Sequence, residues 1–169
     1  WFPDCIYTVC DGSNEGDIFV PGTKSVKISG GYMRQKVAIP NPPKGNILVF
    51  SVWAKVNNPL ENYTGLGPSI RVERSYTVSD VEISQVHKFT SNIDRYIIFT
   101  TVSGWQYCAL AIETNLDHLF ENKQARLNEL TLYLDCGNFN GDVTFNSPRL
   151  IDCFGSSTFY NLTISKEYY

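Results

Sequence analysis

Ile47-Leu48-Val49-Phe50-Ser51-Val52-Trp53-Ala54-Lys55-Val56 is the stretch on which the fold turns. Successive side chains of an extended strand point to opposite faces. Leu48, Phe50, Val52, Ala54 and Val56 then make a wholly apolar face, and Val49, Ser51, Trp53 and Lys55 make the other. Other segments repeat the pattern. Ile70 and Val72 oppose Arg71 and Glu73, and Cys108, Leu110 and Ile112 alternate with Tyr107, Ala109, Ala111 and Glu113. Leu130, Leu132 and Leu134 alternate with Glu129, Thr131 and Tyr133. The apolar faces read as core and the mixed faces as surface, each large side chain contributing roughly 1.5–3 kcal/mol when buried.

The rest of the chain agrees. Its 169 residues are 43% apolar and include 10 Phe, 10 Tyr and 3 Trp, a strand-favouring composition that excludes a helical bundle. Turn signals recur roughly every 10 to 15 residues, the spacing of a β-sandwich or barrel. They include Pro21-Gly22, Gly30-Gly31, Asn41-Pro42-Pro43, Asn57-Asn58-Pro59, Ser103-Gly104 and Gly137 to Gly141. Strands are predicted at Ser25–Ile28, Met33–Ile39, Ile47–Val56, Ser69–Val78, Ile97–Val102, Tyr107–Thr114, Arg126–Leu134, Asp142–Phe145 and Thr158–Ile164. Helix-like spacing of Leu116, Leu119, Phe120 and Leu127 predicts a short helix near 116–124, or a turn, before the strand from Arg126. The expectation is an all-β, two-sheet antiparallel β-sandwich in a single domain, 1–169, with a cysteine-containing C-terminal extension from about residue 136.

Charge and processing narrow the setting. With 14 Lys+Arg against 17 Asp+Glu the net charge is −3, which argues against nucleic acid as partner. No apolar run approaches the roughly 18 residues of a spanning helix, so membrane insertion is not expected. The chain opens at Trp1 without an initiator Met and reads as a mature or trimmed segment. Sequons at Asn62 and Asn161, together with 5 Cys, point to a secreted or cell-surface protein. Cys5 with Cys10, and Cys136 with Cys153, are the candidate disulfides, although spacing alone leaves the connectivity open. Cys108, inside a strand, is the candidate free thiol. Zinc is disfavoured because no Cys-x2-Cys pair exists.

The segment Ser25-Val26-Lys27-Ile28-Ser29-Gly30-Gly31-Tyr32-Met33-Arg34-Gln35-Lys36-Val37-Ala38-Ile39-Pro40, continued by Ile47 to Lys55, resembles the front half of a family of carbohydrate-binding modules. These are the cellulase-associated, CenC-type modules with a galactose-binding-like jelly-roll fold. Arg126-Leu127-Asn128-Glu129-Leu130-Thr131-Leu132 is similar to their late strand, with Asn128-Glu129 where an Asp-Asp or Asp-Asn pair is usual. The likeness covers about a third of the chain. It implies a jelly-roll fold and a carbohydrate ligand.

The mixed faces supply the candidate site. Trp53, Tyr107 and Tyr133 would stack on the apolar C–H faces of sugar rings. Arg71, Glu73, Glu113 and Glu129 would hydrogen-bond the hydroxyls. Trp105, just after Gly104 at a predicted loop tip, would meet a ligand or partner. The competing reading has loops or the C-terminal segment cover this face, making its aromatics a minor second core. Asp11, Glu15 and Asp17 alternate like the start of a calcium loop, but Gly22 stands where an EF-hand needs its bidentate Glu. A structural Ca2+ there competes with a plain acidic turn. His87 and His118 lack a nucleophile motif, and glutamates on an open face would not gain an acid catalyst's raised pKa. The expectation is a non-catalytic extracellular recognition domain that binds a glycan. Its rival is a protein–protein ectodomain used in adhesion, receptor binding or viral or other surface assembly. A glycan on Asn62 would mask one end of the Trp53 face.

Overall fold

The computed structural model describes residues 1–10, 19–20, 23–39, 47–60, 65–80, 85–90, 93–120, 123–152 and 159–160. Among them run strands β1 (Phe2–Cys10), β2 (Ser25–Ala38), β3 (Ile47–Val56), β4 (Ser69–Asp80), β5 (Val86–Thr90), β6 (Asp94–Ile97), β7 (Trp105–Glu113), β8 (Lys123–Asp152) and β9 (Phe159–Tyr160). Every pairing is antiparallel. β3 has the bounds read from the sequence, and its alternate residues Leu48, Phe50, Val52 and Ala54 are fully buried.

β2 and β8 are the spine. They pair from Ser25↔Asn146 to Ala38↔Glu129, and the ladder is interrupted only where Gly30 and Gly31 face the turn region around Gly137. Gly30, Gly31 and Gly137 all hold positive φ, so the strands bend there together. β1 follows β2 around the corner, with its own register shift between Asp4 and Ile6. Beyond the bend, the first half of β8 pairs with β4, and β4 carries β5 and β6 along its other edge. The second half of β8 pairs with β3, and β3 with β7. One hydrogen-bonded sheet thus folds into the two layers of an all-β sandwich.

The layers close on one core. Ile28, Met33, Leu48, Phe50, Val52, Ile70, Val72, Leu130, Leu132, Leu134, Val143, Phe145 and Leu150 meet in it, all fully buried. Cys108 and Ile112 join from β7, while Leu110 packs only partly against the same cluster.

Several sequence expectations change. Ser25–Ile28 and Met33–Ile39 are one bent strand, and Arg126–Leu134 and Asp142–Phe145 are halves of β8. Residues 136–152, expected in an extension, are part of the sheet, with Val143, Phe145 and Leu150 in the core. Ile97–Val102 is not a strand: β6 ends at Ile97. Just beyond, the Gln106 side chain takes the place of a strand neighbour, its Nε2 donating to Phe99 O at 2.8 Å and its Oε1 accepting from Phe99 N at 3.1 Å. Of the helix or turn read near 116–124, the structure has one 3-10 turn, Asp117–Leu119. β1 and β5 had no sequence signal. Of Thr158–Ile164, only Phe159–Tyr160 is described as strand.

Cys5, Cys108 and Cys136 carry free thiols. Cys5 and Cys10 lie on one extended strand, where five steps separate them by roughly 16 Å, well beyond the Cα spacing a disulfide bridges. The Cys5–Cys10 loop is therefore not closed. Nor is Cys136 bridged, since its Sγ donates to Gly141 O at 3.4 Å. Cys108 is the buried free thiol expected of it. Asp11, Glu15, Asp17, Asn62, Cys153 and Asn161 lie outside the described residues. Among the described residues no helix is long and apolar enough to cross a membrane, and no three His, Cys, Asp or Glu converge to hold a metal ion.

Candidate functional site

The eight candidate binding residues divide between the outer faces of the two layers. Alternation put seven of them on outer faces correctly, whereas Trp105, expected at a loop tip, is the first residue of β7 and pairs with Lys55. Alternation could not assign the layer, because β3 and β4 reach different halves of β8.

On the outside of β3 and β7, cross-strand register sets Trp53 opposite Tyr107 and Lys55 opposite Trp105. The Trp53 and Tyr107 rings are 5.1 Å apart between centroids, at 53°. Lys55 Nζ stands 5.3 Å from the centre of the Trp105 ring. Tyr107 is 51% exposed. Phe19, a residue that sequence reasoning missed, completes the group. Its ring lies 3.9 Å from Trp53 at 32° and 5.7 Å from Trp105, and it remains 41% exposed. Trp53 is therefore half-buried under Phe19, while Tyr107 and Phe19 present the open aromatic surface.

Asn146, fully buried on β8 opposite Trp53, holds Phe19 there. Asn146 Oδ1 accepts from Val20 N at 2.9 Å. Its Nδ2 reaches Thr23 Oγ1 at 2.9 Å, Ser25 Oγ at 2.9 Å and Lys24 O at 3.2 Å. Thr23 in turn donates through its hydroxyl to Val20 O at 2.6 Å. An Asn-Ser-Pro tripeptide offers the sequence no hint of this work. Phe19, beside Val20 and just before Pro21-Gly22, was legible only as an apolar residue near a turn.

The outer face of β4 and β8 is occupied by its own partners. Arg71 Nε lies 2.7 Å from Asp135 Oδ2, and both side chains are about nine-tenths buried. The Arg71 guanidinium sits 4.1 Å from the Tyr133 ring centre and 5.2 Å from that of Tyr32, a cation over two aromatic faces. Tyr32 and Tyr133 meet edge to face at 5.3 Å. Tyr133 OH donates to Glu73 Oε2 at 3.0 Å. Burial pushes the Tyr133 phenol above its usual range, and the carboxylate holding its proton adds to the shift. Tyr133 is only 7% exposed. The sugar-stacking role expected of it is thereby corrected, since its ring lies under Arg71. Arg71 and Glu73 spend hydrogen-bonding capacity on internal partners, which alternation does not reveal.

The two remaining glutamates lie apart. Glu113 at the end of β7 has His118 Nδ1 at 3.7 Å from Oε1, while Glu129 on β8 pairs with Lys36 at 3.3 Å. They belong to different layers.

No family model matches the chain, and no curated protein matches it by sequence. Solved structures do. The enzymatically active domain of bacteriophage CBA120 tailspike protein 4 is similar over 86% of this chain at 9% identity and a TM-score of 0.43, this chain spanning only 17% of that one. The CBM22-2 xylan-binding domain of Paenibacillus barcinonensis Xyn10C is similar over 87% of this chain and 86% of its own, at 10% identity and a TM-score of 0.39. The family 11 carbohydrate-binding module of Clostridium thermocellum, in complex with a β-1,3-1,4-mixed-linked tetrasaccharide, is similar over 91% of this chain and 87% of its own, at 10% identity and a TM-score of 0.34.

Proposed function

We propose that this chain is a non-catalytic recognition domain that binds carbohydrate on the outer face of β3 and β7. The observation that carries the reading is the aromatic group of Tyr107, Trp53, Phe19 and Trp105, anchored by a buried Asn and left open on its Tyr107 side. A sugar ring offers apolar C–H patches edged by hydroxyls. An open aromatic plane matches the first, and Lys55 beside Trp105 can donate to the second. The same reading has the chain work outside the cell, with support from sequons at Asn62 and Asn161.

A glycan array probed with the whole chain tests it, followed by titration of the best glycan. Tyr107→Ala removes an exposed ring and should weaken binding about tenfold, the effect of losing one stacking contact of about 1.4 kcal/mol. Its unfolding midpoint should hardly move, because an exposed side chain contributes little to the core. An array without signal, or binding unchanged in Tyr107→Ala, overturns the proposal. Array silence combined with concentration-dependent association in sedimentation would support the protein–protein reading, which the exposed apolar residues Phe2 and Ile6 on β1 favour.

A further inference from the structure

A second cleft lies away from the aromatic face, between the 3-10 turn after β7 and the paired ends of β4 and β8. It encloses about 330 Å³ and is lined by Ser79, Thr114, Asn115, Asp117, Gln124 and Arg126 among others. That is the small end of ligand pockets, which start near 300 Å³. We propose that this cleft is a binding site for a neutral, polyhydroxylated molecule of about one sugar ring.

Three features carry the inference. The walls are held in place: Asp117 Oδ1 accepts from Ala125 N at 2.7 Å, and Asn115 Oδ1 accepts from Asp117 N at 3.0 Å. The turn is thereby tied both to itself and to the first residues of β8, so the cleft is shaped before a ligand arrives. Next, Thr114 is 2% exposed, and its Oγ1 has no hydrogen-bond partner among the described residues. A buried hydroxyl without a partner costs free energy. The hydroxyl is closed off in the rotamer seen, but Thr114 lines the cleft, and rotation about its Cα–Cβ bond would turn the hydroxyl toward a ligand that can supply what the fold does not.

The lining chemistry names the class. Two hydroxyls and two carboxamides each donate and accept, as sugar hydroxyls do. Among the described residues one carboxylate, Asp117, and one guanidinium, Arg126, line the cleft and balance one another, which disfavours a strongly charged ligand. Among the described residues no aromatic ring lines the cleft, so recognition would run through hydroxyls at the ring edge, unlike the stacking proposed for Tyr107. The cleft would take a terminal or free ring. The open aromatic face would take a longer chain.

Amide chemical shifts of the whole 169-residue chain test this, with methyl glucoside, methyl galactoside, methyl xyloside and glucuronate as probes. Weak affinity is expected, so each is titrated to about 50 mM. At least one neutral glycoside should shift the amides of Ser79, Asn115, Asp117 and Gln124, and glucuronate should do no better. The response should survive Tyr107→Ala. It should weaken about fivefold in Thr114→Val, which keeps the shape and removes the hydroxyl, as expected for one lost hydrogen bond. Ser79→Ala/Gln124→Ala, both lining the cleft as cross-strand partners, should abolish it and guards against misfolding in the Thr114 variant. Silence of these amides for every probe overturns the proposal, as does a response unchanged in Ser79→Ala/Gln124→Ala. A response lost in Tyr107→Ala also overturns it and assigns all binding to the aromatic face. The reading of that face stands or falls separately, on the glycan array.

Discussion

Arg71 and Asp135 show how a single buried pair can decide what a surface is for. The two charges lie 2.7 Å apart with the guanidinium against Tyr133 and Tyr32. Removing one partner leaves the other buried and unpaired, typically at a cost of about 3–5 kcal/mol, whereas removing both together costs far less. Arg71→Leu should therefore destabilise the chain strongly, and Arg71→Leu/Asp135→Asn should recover much of the loss, as read from urea unfolding. A double-variant loss equal to the sum of the losses in Arg71→Leu and Asp135→Asn would mean that the pair is not coupled. Asn146 makes a parallel case on the other layer. Asn146→Ala removes a fully buried side chain and strips several hydrogen bonds from the segment carrying Phe19, with an expected cost of about 2–4 kcal/mol. Freed of Phe19, Trp53 should also change its fluorescence at denaturant concentrations where the fold is intact.

At the scale of elements, the bend of β1, β2 and β8 makes two layers out of one sheet. Gly30 and Gly31 both sit in the left-handed region, at φ of +66° and +68°. A Cβ on Gly30 meets no described atom within 4 Å, whereas one on Gly31 runs into the backbone carbonyl of Asp4. Gly30→Ala should cost only the conformational penalty, about 1 kcal/mol. Gly31→Ala must also displace β1, and thermal unfolding should show it clearly the worse of the two. The elements that sequence reading missed have a common character. β5 is exposed along its whole length, and β1 is exposed at most positions. Such strands are held by ladder bonds to β2 and β4 more than by burial, so they carry little of the apolar alternation that marks an inner strand.

For the whole molecule, stability carries the signature of its buried thiols. Burial pushes Cys108 up to about 12 and Cys5 up to about 11, and raises Cys136 as well. Unfolding returns each to an ordinary value near 9. Between these values the unfolded chain binds fewer protons than the folded one, so stability is full below about pH 9 and falls as pH rises toward the folded values. Urea midpoints at pH 8 and pH 10.5 should show this fall, and Cys108→Ala should reduce it while leaving the other ionisations common to both chains. A fall of equal size in Cys108→Ala would remove Cys108 as a contributor. Local patterning determined the inward faces: Leu48, Phe50 and Val52 on β3, and Leu130, Leu132 and Leu134 on β8, are buried as their alternation requires. It also put Trp53, Tyr107, Arg71 and Tyr133 on outer faces, because a side chain's face depends on its parity along the strand, which is a local property. Only the tertiary structure decided that Tyr107 is open while Tyr133 lies beneath Arg71, that Phe19 covers Trp53, and that residues 136–152 complete the sheet. Those outcomes depend on which distant segment arrives alongside, through hydrogen bonds and contacts spanning up to 126 positions, and no window of sequence contains both partners.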